Sequence, residues 1–125
     1  MKTEGLIKTF IADGAVTGRR LVKPGAADGQ ATQASAVTDA IIGVSDAVGA
    51  DASGRLDVIM SDIAEVEFGG AITRGDFITS DADGKAVAAA PAAGVNNSVA
   101  GRAMISGVDG DFGYVLLAPG QIQGA

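Results

Sequence analysis

The feature of this chain that most constrains its fold is an internal repeat. Gly14–Thr17 and Gly70–Thr73 are nearly identical, and each is followed four residues later by an apolar pair. The first motif recurs at an offset of 56 residues, and two further landmarks recur at 58 and 57: Ile42-Gly43 with Ala100-Gly101, and Val58–Met60 with Val115–Leu117. Self-similarity at a fixed period is the sequence signature of a repeated structural unit. The chain is therefore expected to form two similar halves.

Short segments of β-type pattern, separated by Gly, Pro, Asn and Asp, run through both halves. In one of them Ala64, Val66 and Phe68 alternate with two glutamates, as expected of a strand with one buried face. The predicted strands are 15–23, 31–37, 41–44, 56–60, 64–68, 77–79, 85–89, 99–105 and 112–117. Strands this short, at this spacing, predict an all-β fold: a small barrel or sandwich with two quasi-repeated halves and little helix.

The position of the repeat suggests how the chain is organised. Its 125 residues suit one domain. The first landmark begins at Gly14, so residues 1–13 are predicted to be an extended N-terminal arm. Residues 14–120 then form the β-domain, and residues 121–125 form a C-terminal tail.

Composition excludes several kinds of chemistry. The chain has no Cys and no His, which removes thiolate metal sites, cysteine nucleophiles and most hydrolase triads. It has four Phe, one Tyr and no Trp, and Ala supplies much of its apolar fraction. Because Ala buries little area, the core is expected to be thin, and a neighbouring protein surface would supply the missing burial.

The net charge of −6 makes nucleic acid an improbable partner, because an acidic surface repels phosphates. Membrane association is not expected either, since the longest weakly polar run, 86–95, is too short to span a bilayer and contains Pro91. Lys8 and Asp13 interrupt any signal-peptide core. We therefore expect synthesis in the cytoplasm.

The candidate catalytic and metal-binding patterns have simpler interpretations. Glu65 and Glu67 lie two apart on one strand face, but the chain has few aromatic residues to form a sugar-binding cleft beside them. Asp81–Gly84 begins like a calcium loop and lacks the Glu that such a loop needs at position twelve. Asp109–Asp111 is typical of a hairpin turn. No catalytic, cofactor-binding or metal-binding residue is predicted.

Two alternatives remain open. Lipoyl and biotinyl carrier domains are small barrels with two similar halves and a modified Lys at a hairpin tip, and Lys85 follows Gly84 at a predicted tip. The Asp or Met that precedes the Lys of such carriers is absent here. An oligomeric secreted adhesion module is the other alternative, for which the sequence offers no export signal.

The order and spacing of several short motifs resemble those of the capsid cement, or head decoration, proteins of tailed bacteriophages. The segments that carry the resemblance are Gly14–Gly18, Ile41–Ser45, Gly69–Asp76, Ser80–Val87, Val99–Ala103 and Val115–Leu117. The resemblance extends over roughly residues 14–120. The resemblance implies a β-rich structural protein of the virion. It would sit on the outer surface of the capsid, bound to the major capsid protein and often trimeric, with no catalytic residues and no cofactor.

A phage decoration protein needs an attachment surface, and the predicted arm offers one. Its apolar residues Leu6, Ile7, Phe10 and Ile11 have no assigned place in the core. We expect the arm to add a strand to an exposed sheet edge of the capsid protein through main-chain hydrogen bonds.

Overall fold

The computed structural model describes residues 5–125 and shows an all-β protein. Its strands are β1 Ile7–Ala12, β2 Leu21–Pro24, β3 Gln30–Gln33, β4 Gly43–Ser45, β5 Arg55–Ile59, β6 Ile63–Glu67, β7 Phe77–Ser80, β8 Ala86–Ala88, β9 Asn96–Ala103 and β10 Phe112–Gln123. Within residues 5–125 there is no helix long and apolar enough to cross a membrane. The all-β expectation is confirmed.

The first five strands close into a barrel in the order β1-β3-β2-β4-β5, with β1 returning to pair with β5. The last five strands form a sheet in the order β6-β10-β9-β7-β8. A parallel bridge between Phe68 and Ala86 joins the two ends of this sheet. The equivalent parallel pair in the first half is Ala12 with Ala31. We call these halves the first and second barrels.

The strand registers confirm the repeat, residue by residue. Leu21 pairs with Val44 and Val44 with Ile59 in the first barrel. Phe77 pairs with Arg102 and Arg102 with Leu116 in the second barrel. The offsets that relate the two barrels are 56 for β1 and β2, 55 for β3, 58 for β4 and 57 for β5. One residue fewer between β2 and β3, three more between β3 and β4, and one fewer between β4 and β5 in the second half account for the differences.

A glycine recurs at one repeated position because two backbones approach each other closely there. A Cβ on Gly43 would collide with the carbonyl oxygen of Ile59, and one on Gly101 would collide with the carbonyl oxygen of Leu116. The two glycines are equivalent, as are the two carbonyls. The repeated Gly of the sequence therefore permits close strand packing.

The two barrels share part of their apolar core. One cluster fills the first barrel, and a larger one fills the second barrel and continues onto Leu21, Val44 and Ile59. These three residues lie on the outer surface of the first barrel, where the second barrel covers them. Their full burial makes the barrel-to-barrel contact a continuation of the core.

The predicted division of the chain differs from the structure at both ends. Residues 7–12 form β1, which pairs with β5 over Ile7–Ile11 and with β3 at its end, so they are not an arm outside the barrel. Residues 1–4 of the predicted arm lie outside the described residues. The predicted tail also belongs to the sheet, since Gly120–Gln123 pairs with β9 after a register shift that accommodates Pro119.

Candidate interaction surfaces

Charged side chains join the two barrels along one line, which we call the seam: Arg19, Arg20, Glu65, Glu67 and Lys85. Arg19 Nε contacts Glu65 Oε1, and Arg20 Nη2 lies 3.0 Å from Glu67 Oε1. Lys85 Nζ lies 3.3 Å from Glu67 Oε2. Both glutamates considered as a catalytic pair are thus engaged in ion pairs between barrels. Their arrangement supports a structural role.

The seam holds Glu67 in its ionised form. Burial alone would raise the pKa of Glu67, but hydrogen bonds and charge from Arg20, and then from Lys85, lower this pKa below its usual value. A catalytic acid at neutral pH needs a raised pKa. Glu67 is shifted in the opposite direction, as expected of a structural ion pair.

The hairpin tip that precedes Lys85 is packed into the seam. The carbonyl oxygen of Asp83 accepts hydrogen bonds from Arg20 Nη1 and Gln33 Nε2, each at 2.7 Å. The carbonyl oxygen of Gly84 accepts one from the Leu21 N–H at 2.8 Å. Lys85 itself is three-quarters buried, with a second carboxylate, Asp109 Oδ1, 3.8 Å away. A carrier lysine must extend into solvent with its cofactor, and Lys85 has no such freedom here.

The carboxylates of the two acidic turns accept hydrogen bonds from nearby backbone N–H groups. Asp81 Oδ1 accepts hydrogen bonds from the N–H groups of Asp83 and Lys85, each at 2.9 Å. Asp111 Oδ2 accepts one from the Val108 N–H at 2.9 Å. Across residues 5–125 there is neither a pocket nor a group of three acidic side chains that could hold a metal ion.

One exposed apolar surface lies on β1. Ile7, Thr9 and Ile11 point outward by alternation, and we call them the β1 face; Ile7 and Ile11 are 47% and 45% exposed. Leu6 continues this surface at the start of the strand. Phe10, the fourth apolar residue of the predicted arm, points inward and packs against the core of the first barrel. The structure thus exposes three of the four predicted attachment residues.

A second exposed surface, which sequence reasoning missed, lies on the second barrel. Phe77, Arg102 and Leu116 form a row of directly paired residues across β7, β9 and β10, and we call this row the β10 face. The Arg102 guanidinium stacks 4.1 Å above the centre of the Phe77 ring, and Leu116 is 43% exposed. The sequence signal for this face was Val115-Leu116-Leu117, because an unbroken apolar run in a strand places apolar residues on both of its faces.

Comparison with known proteins finds a structural similarity. No family model and no curated protein sequence matches this chain. One solved structure that does match is the N base of head fiber gp8.5 of bacteriophage phi29, with a TM-score of 0.69 and 20% sequence identity. The match covers 90% of this chain and 93% of the other. This chain therefore shares its overall fold, across nearly its full length, with the base of a phage head fiber.

Proposed function

We propose that this protein is a structural component of a phage head, a decoration protein that binds the outer surface of the shell and stabilises it by bridging capsid subunits. The observation that carries the proposal is the match over nine-tenths of both chains to a protein whose name places it on a phage head. The motif order that resembles capsid cement proteins supports the same assignment. Its partner would be the major capsid protein.

The physical properties of the molecule suit such a role. The charged groups that could have served catalysis are paired along the seam, and large apolar residues remain exposed on β1, on β10 and in several loops. A protein that binds only correctly placed subunits stabilises the closed shell by mass action. This mechanism needs surface area and shape complementarity rather than a pocket.

The observed pairing of β1 changes the mode of attachment that the sequence suggested. Strand addition by a free arm requires a segment without strand partners, whereas Ile7–Ile11 already pairs with β5. Of the predicted attachment residues, Leu6, Ile7 and Ile11 still present apolar side chains to a partner.

Sedimentation with DNA-free, expanded shells tests the proposal. The shells should be assembled from the major capsid protein encoded with this chain. We expect the protein to pellet with the shells and to saturate at a fixed number of copies per shell. An unrelated acidic β-protein of similar size serves as the control. A protein that stays in the supernatant at all concentrations would refute the assignment.

A further inference from the structure

The β10 face extends along its strand into a surface that is rich in aromatic residues. Phe112 and Tyr114 point outward on the same side of β10 as Leu116, by alternation with buried Gly113 and Val115. Together with the three residues of the β10 face they form what we call the aromatic surface. It holds three of the five Phe and Tyr residues of the chain. Aromatic residues and arginine are enriched at protein-binding surfaces and dominate their binding energy.

An arginine stacks on each phenylalanine of the aromatic surface. The Arg102 guanidinium lies 4.1 Å from the centre of the Phe77 ring, and the Arg19 guanidinium lies 4.8 Å from the centre of the Phe112 ring. A guanidinium in this position covers a ring face on which a sugar would stack, while the N–H groups at its rim can still donate hydrogen bonds. The surface therefore suits a protein partner better than a carbohydrate.

Arg19 adopts an unfavourable backbone conformation to make its stack. Its φ is 58°, in the left-handed region, whereas the equivalent residue of the second barrel is Gly75, with a φ of 93°. Residues other than glycine keep this conformation only where their surroundings hold them in it, and such sites are often functional. Arg19 is held by Glu65 and restrains the ring of Phe112, which is 53% exposed. An exposed anchor that is already ordered loses less entropy when a partner binds.

Arg102 has no carboxylate to pair with inside its own chain. Its Nη1 donates a hydrogen bond to the carbonyl oxygen of Gly75 at 3.0 Å, and within residues 5–125 it forms no ion pair. The adjoining turn adds Arg74 and Asp76, so this edge of the aromatic surface is net positive in a chain whose net charge is −6. A carboxylate on another protein would complement it.

We infer that the aromatic surface is the face by which this protein docks on the shell, and that it binds a segment of the major capsid protein in which a carboxylate is flanked by apolar side chains. The carboxylate pairs with the unused N–H groups of Arg102, and the apolar side chains cover Phe112 and Leu116. The inference rests on the proposed function and adds to it the docking face and the chemistry of its counterpart.

Truncation of the apolar side chains tests the docking face by sedimentation with DNA-free, expanded shells. Phe112→Ala and Leu116→Ala should each weaken shell binding about 10-fold or more, because side chains at the centre of an interface carry most of its affinity. Both side chains are about half exposed, so each variant should keep its fold, which circular dichroism and thermal melting would check. Val48→Ala, at an 86% exposed residue outside the surface, is the matched control and should bind like the natural chain.

The ionic contact is tested by the salt dependence of binding, which a purely structural role of Arg102 would not alter. The affinity of the natural chain for shells should fall as the salt concentration rises from about 50 mM to about 500 mM, because salt screens exposed charges. Arg102→Gln should bind more weakly and depend less on salt. Arg102→Lys should keep the salt dependence and recover part of the affinity. Arg55→Gln, which removes another exposed arginine without an ion pair in the described chain, should leave both unchanged.

The outcomes separate this inference from the proposed function. If the natural chain, Phe112→Ala and Leu116→Ala all bound shells equally, the docking face would be wrong and the proposed function would stand. If Ile11→Ala lost more affinity than Leu116→Ala, the β1 face would be the docking face instead. An unchanged salt dependence in Arg102→Gln would refute the carboxylate contact. A natural chain that did not pellet with shells would refute both proposals.

Discussion

At the scale of single residues, the two barrel cores place a large and a small side chain at opposite members of one pair of equivalent positions. The first barrel buries Ala12 and Leu56. Their equivalents in the second barrel are Phe68 and Gly113, and a Cβ on Gly113 would collide with the Phe68 ring. The large side chain thus comes from β5 in one barrel and from the end of β6 in the other. Similar backbones accommodate both solutions because the total volume is nearly preserved.

This exchange predicts a strong interaction between two substitutions. Gly113→Leu alone should destabilise the fold by about 3 kcal/mol or more through overpacking. Phe68→Ala alone should cost about 3 to 5 kcal/mol through the cavity that it leaves. The double variant copies the first barrel and should be less destabilised than the sum of the two. Urea unfolding of all four proteins measures the coupling, and strict additivity would contradict the volume exchange.

The ion pairs of the seam predict a pH dependence at the same scale. Because the folded-state pKa of Glu67 lies below its ordinary value of 4.5, its contribution to stability is present above that pH. The contribution is lost as the pH falls through the folded-state pKa. Glu67→Gln should lower the free energy of unfolding by about 1 kcal/mol at pH 7. Between about pH 5 and pH 3, the free energy of unfolding of this variant should fall less than that of the natural chain.

Thermal unfolding across this pH range measures the effect of Glu67→Gln. The matched control is Asp28→Asn, which removes one exposed carboxylate in the turn between β2 and β3. We expect the control to keep the acid dependence of the natural chain. Identical pH profiles for Glu67→Gln and the natural chain would show that the seam does not contribute as argued.

At the scale of elements, the sequence predicted the two-half β-architecture and most of its strands, but it placed the start of the repeat too late. The motif at Gly14 is recognisable because Gly14–Thr17 and Gly70–Thr73 are nearly identical. By contrast, β1 and β6 share little identity: Lys8 is exposed where Ala64 is buried, and Ala12 stands where the other half has Phe68. Because the large side chain lies at a different position in each barrel, the sequence does not reveal that β1 and β6 are equivalent. Ile7–Ala12 belongs to the barrel because it pairs with strands that are distant in the sequence. Composition does not reveal such pairing.

Removal of β1 should therefore unfold the first barrel. Deleting residues 2–12 takes away the strand that pairs with five residues of β5 and closes the barrel. It also removes Phe10 and Ala12 from the core. We expect a loss of cooperative unfolding and of dispersed amide signals, measured by thermal melting and NMR. A deletion variant that melts like the natural chain would mean that this segment is a dispensable arm after all.

The candidate surfaces were less accessible to sequence reasoning than the fold. Leu6, Ile7 and Ile11 were identified as residues for a partner, and they are exposed, whereas Phe10 proved to be part of the core. The apolar run Val115–Leu117 indicated only one member of the β10 face, because Phe77, Arg102 and Leu116 come from three strands that only the sheet brings together. A surface formed across strands requires their register, and the register follows from the closed topology.

At the scale of the whole molecule, a shared apolar core and a line of ion pairs join the two barrels. Large apolar residues remain exposed on β1, on β10 and in several loops. Contacts among neighbouring copies on a lattice would turn modest single-site affinity into firm attachment. The proposed role on a phage head requires such cooperation, since the forces to be resisted act across the whole shell.

The most direct test of the central claim compares the rupture temperature of DNA-free expanded shells, bare and saturated with this protein. The account predicts that saturated shells rupture at a higher temperature, by an amount that grows with occupancy, because the protein binds the intact shell and not its separated subunits. Shells that carry the protein and rupture at the same temperature as bare shells would contradict the claim that it stabilises the head.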